Sequence, residues 1–367
     1  MLTRFCVENF KNFKDRFEWD LTQCNNYEFN EEAVGRYCVK KGLIFGVNGS
    51  GKSNLGLALF DIILHLTDRA KLENKYVPYL NLDSSKKYAE FEYHFMFSDV
   101  EVVYKYQKKS SRKLLKEQLM IDGQEVIFFD HVEQQGSTRL IGTETLNLKS
   151  DNDMSRVKYV KSNAILEDNL VNHVFYQFVN FVDSMLLFYS LDERRYQGIQ
   201  VGTHSVSEGI IESGRLKDFE EFLRTQGIDY TLVEREVDGN KRIYCVFEEG
   251  EANFFTIAST GTKSLTSFYY WYIIMDSASL VFIDEFDAFY HFALAKQIVQ
   301  LTKELENTQI FFTSHNTDLI SNDLLRPDCY FNLANGKIKS IASLTDKELR
   351  RAHNLQKMYK AGAFDEE

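Results

Sequence analysis

Proline is nearly missing from this chain: 2 occur in 367 residues, where ordinary usage of about 5% would supply roughly 18. Polyproline linkers, mucin-like stalks and collagen-like repeats are thereby excluded. Cysteine provides no framework either. Cys6, Cys24, Cys38, Cys245 and Cys329 include no C-x-x-C pair, so buried, reduced thiols in a cytoplasmic setting are expected. No apolar run reaches the 18 or more residues of a helical membrane span. The opening MLTRFCVENFKNFKD carries charges where a signal peptide needs an unbroken apolar stretch. Positive charge is in deficit as well, with 43 Lys and Arg against 54 Asp and Glu for a net −11. Sequence-independent binding to a nucleic-acid backbone needs clustered cations, so a chain of this sign does not favour it.

What is present suffices for a sizeable core, at 44% hydrophobic and 14% aromatic residues, in one large domain or two modest ones. Leu2 to Phe10 alternates as an opening strand. Lys40 to Phe45 is a short apolar run entering glycines, and Ser53 to Leu66 (SNLGLALFDIILHL) predicts one helix buried against a sheet. From Tyr88 to Phe129 aromatic and polar residues alternate around an Asp122-Gly123 turn, which predicts an antiparallel β-subdomain. Residues 155–223, including FYQFVNFVDSMLLFYSL, read as mostly helical, and strands return around Asp238-Gly239. The helix TKSLTSFYYWYIIM, the strand SLVFIDE, a further helix and the strand QIFFTSH then follow. Such alternation implies a mostly parallel α/β sheet completed by both ends of the chain.

Gly46-Val47-Asn48-Gly49-Ser50-Gly51-Lys52-Ser53 matches G-x-x-x-x-G-K-[ST] between a predicted strand and a predicted helix. Glycines let backbone N–H groups converge on phosphate oxygens, and the following helix N-terminus adds positive potential. Lys52 then reaches the β- and γ-phosphates and Ser53 ligands Mg²⁺. A metal bound there calls for a second, acid-bearing strand, and SLVFIDE ends in Asp284 and Glu285. Asp284 is assigned to Mg²⁺ and Glu285 to polarising the attacking water.

GVNGSGKSN, STGTK, VFIDEFDAFYH and FFTSHNTDL occur in the order of phosphate loop, signature, Walker B with D-loop, and switch histidine. The chain therefore resembles an ABC-type ATPase of the SMC and RecF branch, and FCVENFKNFKD resembles that branch's first strand and turn. In SMLLFYSLDERRYQG, ASTGTKSL, SHNTDLISNDLLRPDCYF and NLQKMYKAGAF it is most similar to the RloA and AbiL-like ATPases of bacterial phage-defence operons, relatives of the OLD-family ATPase domain.

The resemblance implies an ABC-type P-loop fold with an antiparallel β-subdomain and an inserted helical subdomain. Its divisions are an N-terminal lobe over 1–150, a helical insert over 151–235 and a C-terminal lobe over 236–367. It further implies ATP and Mg²⁺ as cofactors, with Asn54 beside the phosphate loop in the nucleotide site. Ser259, Gly261 and Thr262 would cap ATP held by another subunit, in a head-to-tail homodimer or higher oligomer. Asp287 would be the D-loop aspartate and His315 the histidine that contacts the γ-phosphate. Thr260 stands where the transporter consensus has glycine. His291, just beyond the D-loop, is open between helix packing and a subunit contact.

Two other features invite readings. Lys105, Lys108, Lys109, Arg112, Lys113 and Lys116 form a basic run at a predicted hairpin tip, either a solvated loop or a contact for nucleic acid or an acidic partner. Phe268 to Met275 (FYYWYIIM) reads as core rather than as base-stacking aromatics. Long heptad arms are not seen between the phosphate loop and the signature, and the residues after His315 are too few for a C-terminal nuclease domain. The function expected is an ATP-hydrolysing regulator of a separately encoded nuclease or toxin in anti-phage defence, with a phage protein or nucleic acid as trigger and no membrane partner. The alternative is a RecF-like, DNA-binding repair ATPase.

Overall fold

The computed structural model describes residues 1–69, 73–149, 154–189, 195–198, 205–289 and 292–364. Strands β1 (Leu2–Glu8), β2 (Phe17–Asp20) and β3 (Lys41–Phe45) come first, followed by helices α1 (Lys52–Leu59) and α2 (Ile63–Leu66). Next are β4 (Ala89–Phe97), β5 (Val100–Lys108), β6 (Leu114–Ile121), β7 (Gln124–Asp130) and β8 (Gln135–Thr138). Helices α3 (Arg156–Asn163) and α4 (Leu170–Asp183) lead to β9 (Leu186–Tyr189) and β10 (Arg195–Gly198). Then come α5 (Val206–Glu212), α6 (Leu216–Thr225), β11 (Thr231–Val237), β12 (Asn240–Phe247), β13 (Gly250–Asn253), α7 (Phe254–Ile257) and α8 (Thr260–Met275). The chain continues with β14 (Leu280–Asp284), α9 (Phe292–Thr302), β15 (Gln309–Thr313), β16 (Tyr330–Ala334), β17 (Lys337–Ser340) and α10 (Leu355–Lys360).

Two compact units result, residues 1–199 with 277–367, and residues 200–276. The first holds two seven-stranded sheets. One runs β2-β1-β4-β5-β6-β7-β8 and every pairing in it is antiparallel. The other runs β10-β9-β14-β15-β3-β16-β17, with a parallel centre and an antiparallel strand at each edge. The parallel strands β3, β14 and β15 are buried at every position, as sheets covered on both faces require. This is the α/β architecture expected of an ABC-type P-loop ATPase.

Specific contacts join the two sheets. The Gln309 side chain accepts from Leu2 N at 2.6 Å and donates to Leu2 O at 2.8 Å and Val39 O at 3.1 Å, tying the first strand to β15. Trp19 meets Phe311 and Phe331 edge-on, with ring centroids 4.6 and 5.4 Å apart. Helix α1 lies between the sheets. A Cβ on its Gly56 would come within 2.8 Å of the Phe282 ring of β14. Its terminal carbonyls accept from tyrosine hydroxyls, Leu57 from Tyr76 at 3.2 Å and Ala58 from Tyr93 of β4 at 3.0 Å. The Tyr76 hydroxyl satisfies an acceptor that a helix end leaves open, while Ala58 O also accepts from Asp61 N at 3.2 Å.

The single helix expected over Ser53 to Leu66 is broken at Phe60–Ile62. Asp61 sits in the break and its carboxylate is fully buried, accepting from Tyr79 and Tyr106 hydroxyls and from Lys108 Nζ. A charge taken out of water needs such partners, and reaching them overrides helix propensity. A second departure lies in residues 155–223, where Leu186–Tyr189 forms strand β9 rather than helix. An unbroken apolar run carries no helical period, and β14 supplies the hydrogen-bonding partner.

The second unit combines α5 to α8 with the antiparallel sheet β11-β12-β13. Phe268, Tyr269, Ile274 and Met275 of α8 are buried, while Tyr270, Trp271, Tyr272 and Ile273 are half-buried, so the core reading of that aromatic run holds for half of it. Among the described residues no helix is long and apolar enough to cross a membrane.

Candidate active site

The phosphate-loop motif occupies the turn between β3 and α1. Gly49 and Gly51 take φ of +80° and +105°, the left-handed region where a side chain is strained. Close packing also fixes two glycines. A Cβ on Gly46 would lie 2.5 Å from Leu333 O and 2.6 Å from Ser50 Oγ, and one on Gly51 would lie 2.3 Å from Asn12 Nδ2. Ser50 Oγ is buried without a hydrogen-bond partner. Lys52 is buried and curls back over its own loop, donating to Gly46 O at 2.8 Å and Val47 O at 3.3 Å. Desolvation lowers its pKa, and the Glu285 and Asp284 carboxylates act in the opposite sense. Asn48, Gly49 and Ser53 are exposed.

Asp284 ends β14, two strands from β3 with β15 between them, and is 8% exposed. All three strands point their C-terminal ends the same way, so the loop, the acids and the segment after β15 share one edge, where parallel sheets bind ligands. Thr313, the last residue of β15, and the following Ser314-His315 grip the acids in turn. Thr313 Oγ1 donates to Asp284 Oδ1 at 2.7 Å and accepts from Glu285 N at 2.7 Å. Ser314 hydrogen-bonds Asp287, whose pKa is raised by burial against the opposing effects of Ser314 and His315. His315 Nε2 lies 3.4 Å from Glu285 Oε1. Glu285 itself adopts φ +47°, in the left-handed region.

The signature residues belong to the second unit. Ser259 caps α8, its Oγ accepting from Thr262 N at 3.1 Å and lying 2.9 Å from Thr262 Oγ1. Ser259, Thr260 and Gly261 are exposed, and a Cβ added at Gly261 would meet only Ser259 Oγ, at 3.8 Å. The N-capping hydroxyl thus fits the ordinary capping preference for Ser. His291 lies outside the described residues.

Two further residues at this edge lie inside those motifs but receive no role from the sequence. Asn12, in the turn after β1, accepts from Asn54 Nδ2 at 2.7 Å, and its Nδ2 lies 3.5 Å from Ser50 O. Thr313 is the other. Its signal was faint but present: a hydroxyl closing an otherwise apolar strand beside two acids.

These residues fit a nucleotide and a divalent cation. The orphaned Ser50 hydroxyl, a lysine satisfied only by its own loop, and glycines that admit no Cβ form a cradle of donors for phosphate. The Ser53 hydroxyl and Asp284 carboxylate are hard oxygen donors, which suit a Mg²⁺ ion shared with phosphates rather than enclosed by protein.

Residues 43–321 match the family described as "AAA domain, putative AbiEii toxin, Type IV TA system". No curated protein matches the chain. Among solved structures it is similar to the SMC head domain from Thermotoga maritima, at 15% identity and a TM-score of 0.45 over 92% of this chain and 97% of that one. It is similar also to a Smc head domain with an extended coiled coil, bound to the C-terminal domain of ScpA, from Pyrococcus furiosus. There the identity is 14% and the TM-score 0.46, over 93% of this chain and 97% of that one. The Smc head domain with a coiled coil and joint from Pyrococcus yayanosii gives 12%, a TM-score of 0.44, and coverage of 98% and 99%.

Proposed function

From the premise that this chain belongs to the AAA-domain family described for AbiEii and type IV toxin–antitoxin systems, we propose that it is the ATP-hydrolysing regulator of an anti-phage defence system. In this reading it controls a separately encoded nuclease or toxin through ATP-dependent dimerisation. Fold, phosphate loop and family make the chain an ABC-type P-loop ATPase. Its placement in the RloA and AbiL-like group rests on the sequence resemblance.

One observation supports hydrolysis most directly. The glycine loop with Lys52, the Asp284–Glu285 pair and His315 stand on the C-terminal edge of one parallel sheet, joined through Thr313 and the 3.4 Å His315–Glu285 contact. In our assignment the backbone N–H groups of residues 49–53 and the Lys52 ammonium bind the phosphates. Ser53 and Asp284 hold Mg²⁺, which when bound neutralises phosphate charge. Glu285 accepts a proton from the attacking water, and His315 orients that carboxylate and the terminal phosphate. Ser259, Gly261 and Thr262 would cap the nucleotide of a second copy, and Asp287 would sense it.

The RecF-like alternative loses support from the fate of the basic run. Lys108 is wholly buried on Asp61, while Lys105 and Lys116 pair with Glu92 and Asp130 at 3.4 and 2.8 Å. The deciding experiment is a tagged pull-down from the native host with and without ATP, using wild type and Lys52→Ala. Stoichiometric, nucleotide-dependent recovery of a separately encoded nuclease or toxin is expected. Chromosomal DNA with repair proteins, and no dedicated partner, would overturn the regulator reading.

A further inference from the structure

Resting on the ATPase reading above, we propose that Thr313 is a positioning residue that sets both members of the Asp284–Glu285 pair for hydrolysis. Thr313 closes β15, the strand between the phosphate-loop strand and the acid-bearing strand, and pairs with Ile44 of β3. It is wholly buried. A hydroxyl has one proton and two lone pairs, and both functions are committed here. The proton goes to Asp284 Oδ1 and a lone pair takes Glu285 N–H, each at 2.7 Å.

Two consequences follow for the acids. Asp284 is left with one carboxylate oxygen outside this bond, so the oxygen available to a cation is chosen by Thr313. Glu285 is the residue at which the chain leaves the strand, with φ +47°. A glutamate gains nothing locally from that left-handed conformation. The bond from its N–H to Thr313 holds it there, and in this conformation its carboxylate reaches to 3.4 Å from His315 Nε2. The β-branched side chain adds stiffness, since its χ1 is restricted. Valine at this position would keep the shape but leave both the Glu285 N–H and Asp284 Oδ1 without this partner.

The test compares steady-state phosphate release from Mg-ATP, and binding of a fluorescent ATP analogue, for wild type, Thr313→Val, Thr313→Ser and Glu285→Gln. Thr313→Val is expected to lose about 30- to 100-fold in kcat and to need several-fold more Mg²⁺ for half-activation. Its analogue affinity should stay within about three-fold of wild type, and Thr313→Ser should recover most of the turnover. Circular dichroism and melting establish folding, and Thr313→Ala repeats the test without added bulk should the valine variant not fold. Wild-type kcat in Thr313→Val, an equal fall in turnover and affinity, or no recovery in Thr313→Ser would each overturn the positioning role. Absence of turnover above the Glu285→Gln level in wild type overturns the ATPase reading itself, and this proposal with it.

Discussion

Lys108 Nζ lies 2.9 Å from Asp61 Oδ1, with neither side chain exposed. The pair binds the end of β5 to the break between α1 and α2, and Tyr79 and Tyr106 donate to the same carboxylate at 2.9 and 3.0 Å. Seen along the sequence, Lys108 belongs to a basic run. In the fold it is the internal counterion of the segment that continues the phosphate-loop helix, while Lys109 and Lys113 close the hairpin through their backbones at 2.9 Å. A run of like charges is thus divided between core, sheet face and turn.

Removing one partner of a buried pair leaves an uncompensated charge, which costs about 3–5 kcal/mol. Lys108→Met is expected to lose stability of that order in urea denaturation. The double variant Lys108→Met, Asp61→Asn should recover much of it, because the amide can still bond the two tyrosines without carrying charge. Equal destabilisation in single and double variants would mean that packing, not the charge, sets the cost.

Lys105 and Lys116 face carboxylates across strands, and ion pairs with a solvent-exposed lysine contribute little to stability. Thr-sized or neutral replacements there should leave the fold intact. Lys105→Gln with Lys116→Gln is therefore expected to change neither melting temperature by more than a few degrees nor binding to a duplex DNA probe at low salt. A steep salt-dependent DNA affinity that disappears in this variant would restore the RecF-like reading.

The parts legible in the sequence are those in which chemistry and chain order coincide. Strand, glycine loop and helix are contiguous from Lys41 to Leu59, so spacing alone locates the loop between β3 and α1. The acids of β14 and the histidine after β15 stand at strand ends for the same reason. Less legible were features decided by distant partners. Nothing near Asp61 announces that it will meet Lys108 from β5, and so the helix break was not foreseen. Leu186–Tyr189 read as helix because a fully apolar run has no period, and only the neighbouring β14 decides for strand. Asn12 and Thr313 act through residues 38 and 29 positions away, at Ser50 and Asp284. Such long-range hydrogen bonds leave at most a faint local pattern.

Glu92 and His94 predict a particular pH response. The His94 hydrogen bond at 2.7 Å, supported by Arg16 and Lys105, holds the Glu92 carboxyl down to about 2. His94 is in turn raised, first by Glu92 and then, against desolvation, by Glu101. A depressed carboxylate stabilises above its unfolded pKa near 4.5 and loses that contribution as pH falls toward 2. A raised histidine stabilises below its unfolded pKa near 6.5 and loses it as pH climbs through the higher folded value. Both contributions are complete between about pH 4.5 and 6.5. Because the groups are partly solvated, the shared effect is of order 1 kcal/mol. Urea midpoints for wild type should decline on both sides of that window, whereas Glu92→Gln should flatten both limbs; an unchanged profile would show that other groups dominate.

Glu285→Gln separates binding from turnover. The amide keeps the size of the side chain and leaves the N–H to Thr313 intact, but it cannot take a proton from water. Phosphate release should therefore fall by at least about 100-fold while nucleotide affinity changes little. If two copies close on ATP head to tail, the uncleaved nucleotide will hold them together. ATP stabilises only the form that binds it, and without turnover that stabilisation persists. Light scattering should then report a mass doubling with ATP in Glu285→Gln, a short-lived or partial shift in wild type, and none in Lys52→Ala. A Glu285→Gln protein that binds ATP yet keeps the mass of its nucleotide-free form would exclude capping by Ser259, Gly261 and Thr262 of a second subunit. Hydrolysis would then have to be completed within one copy.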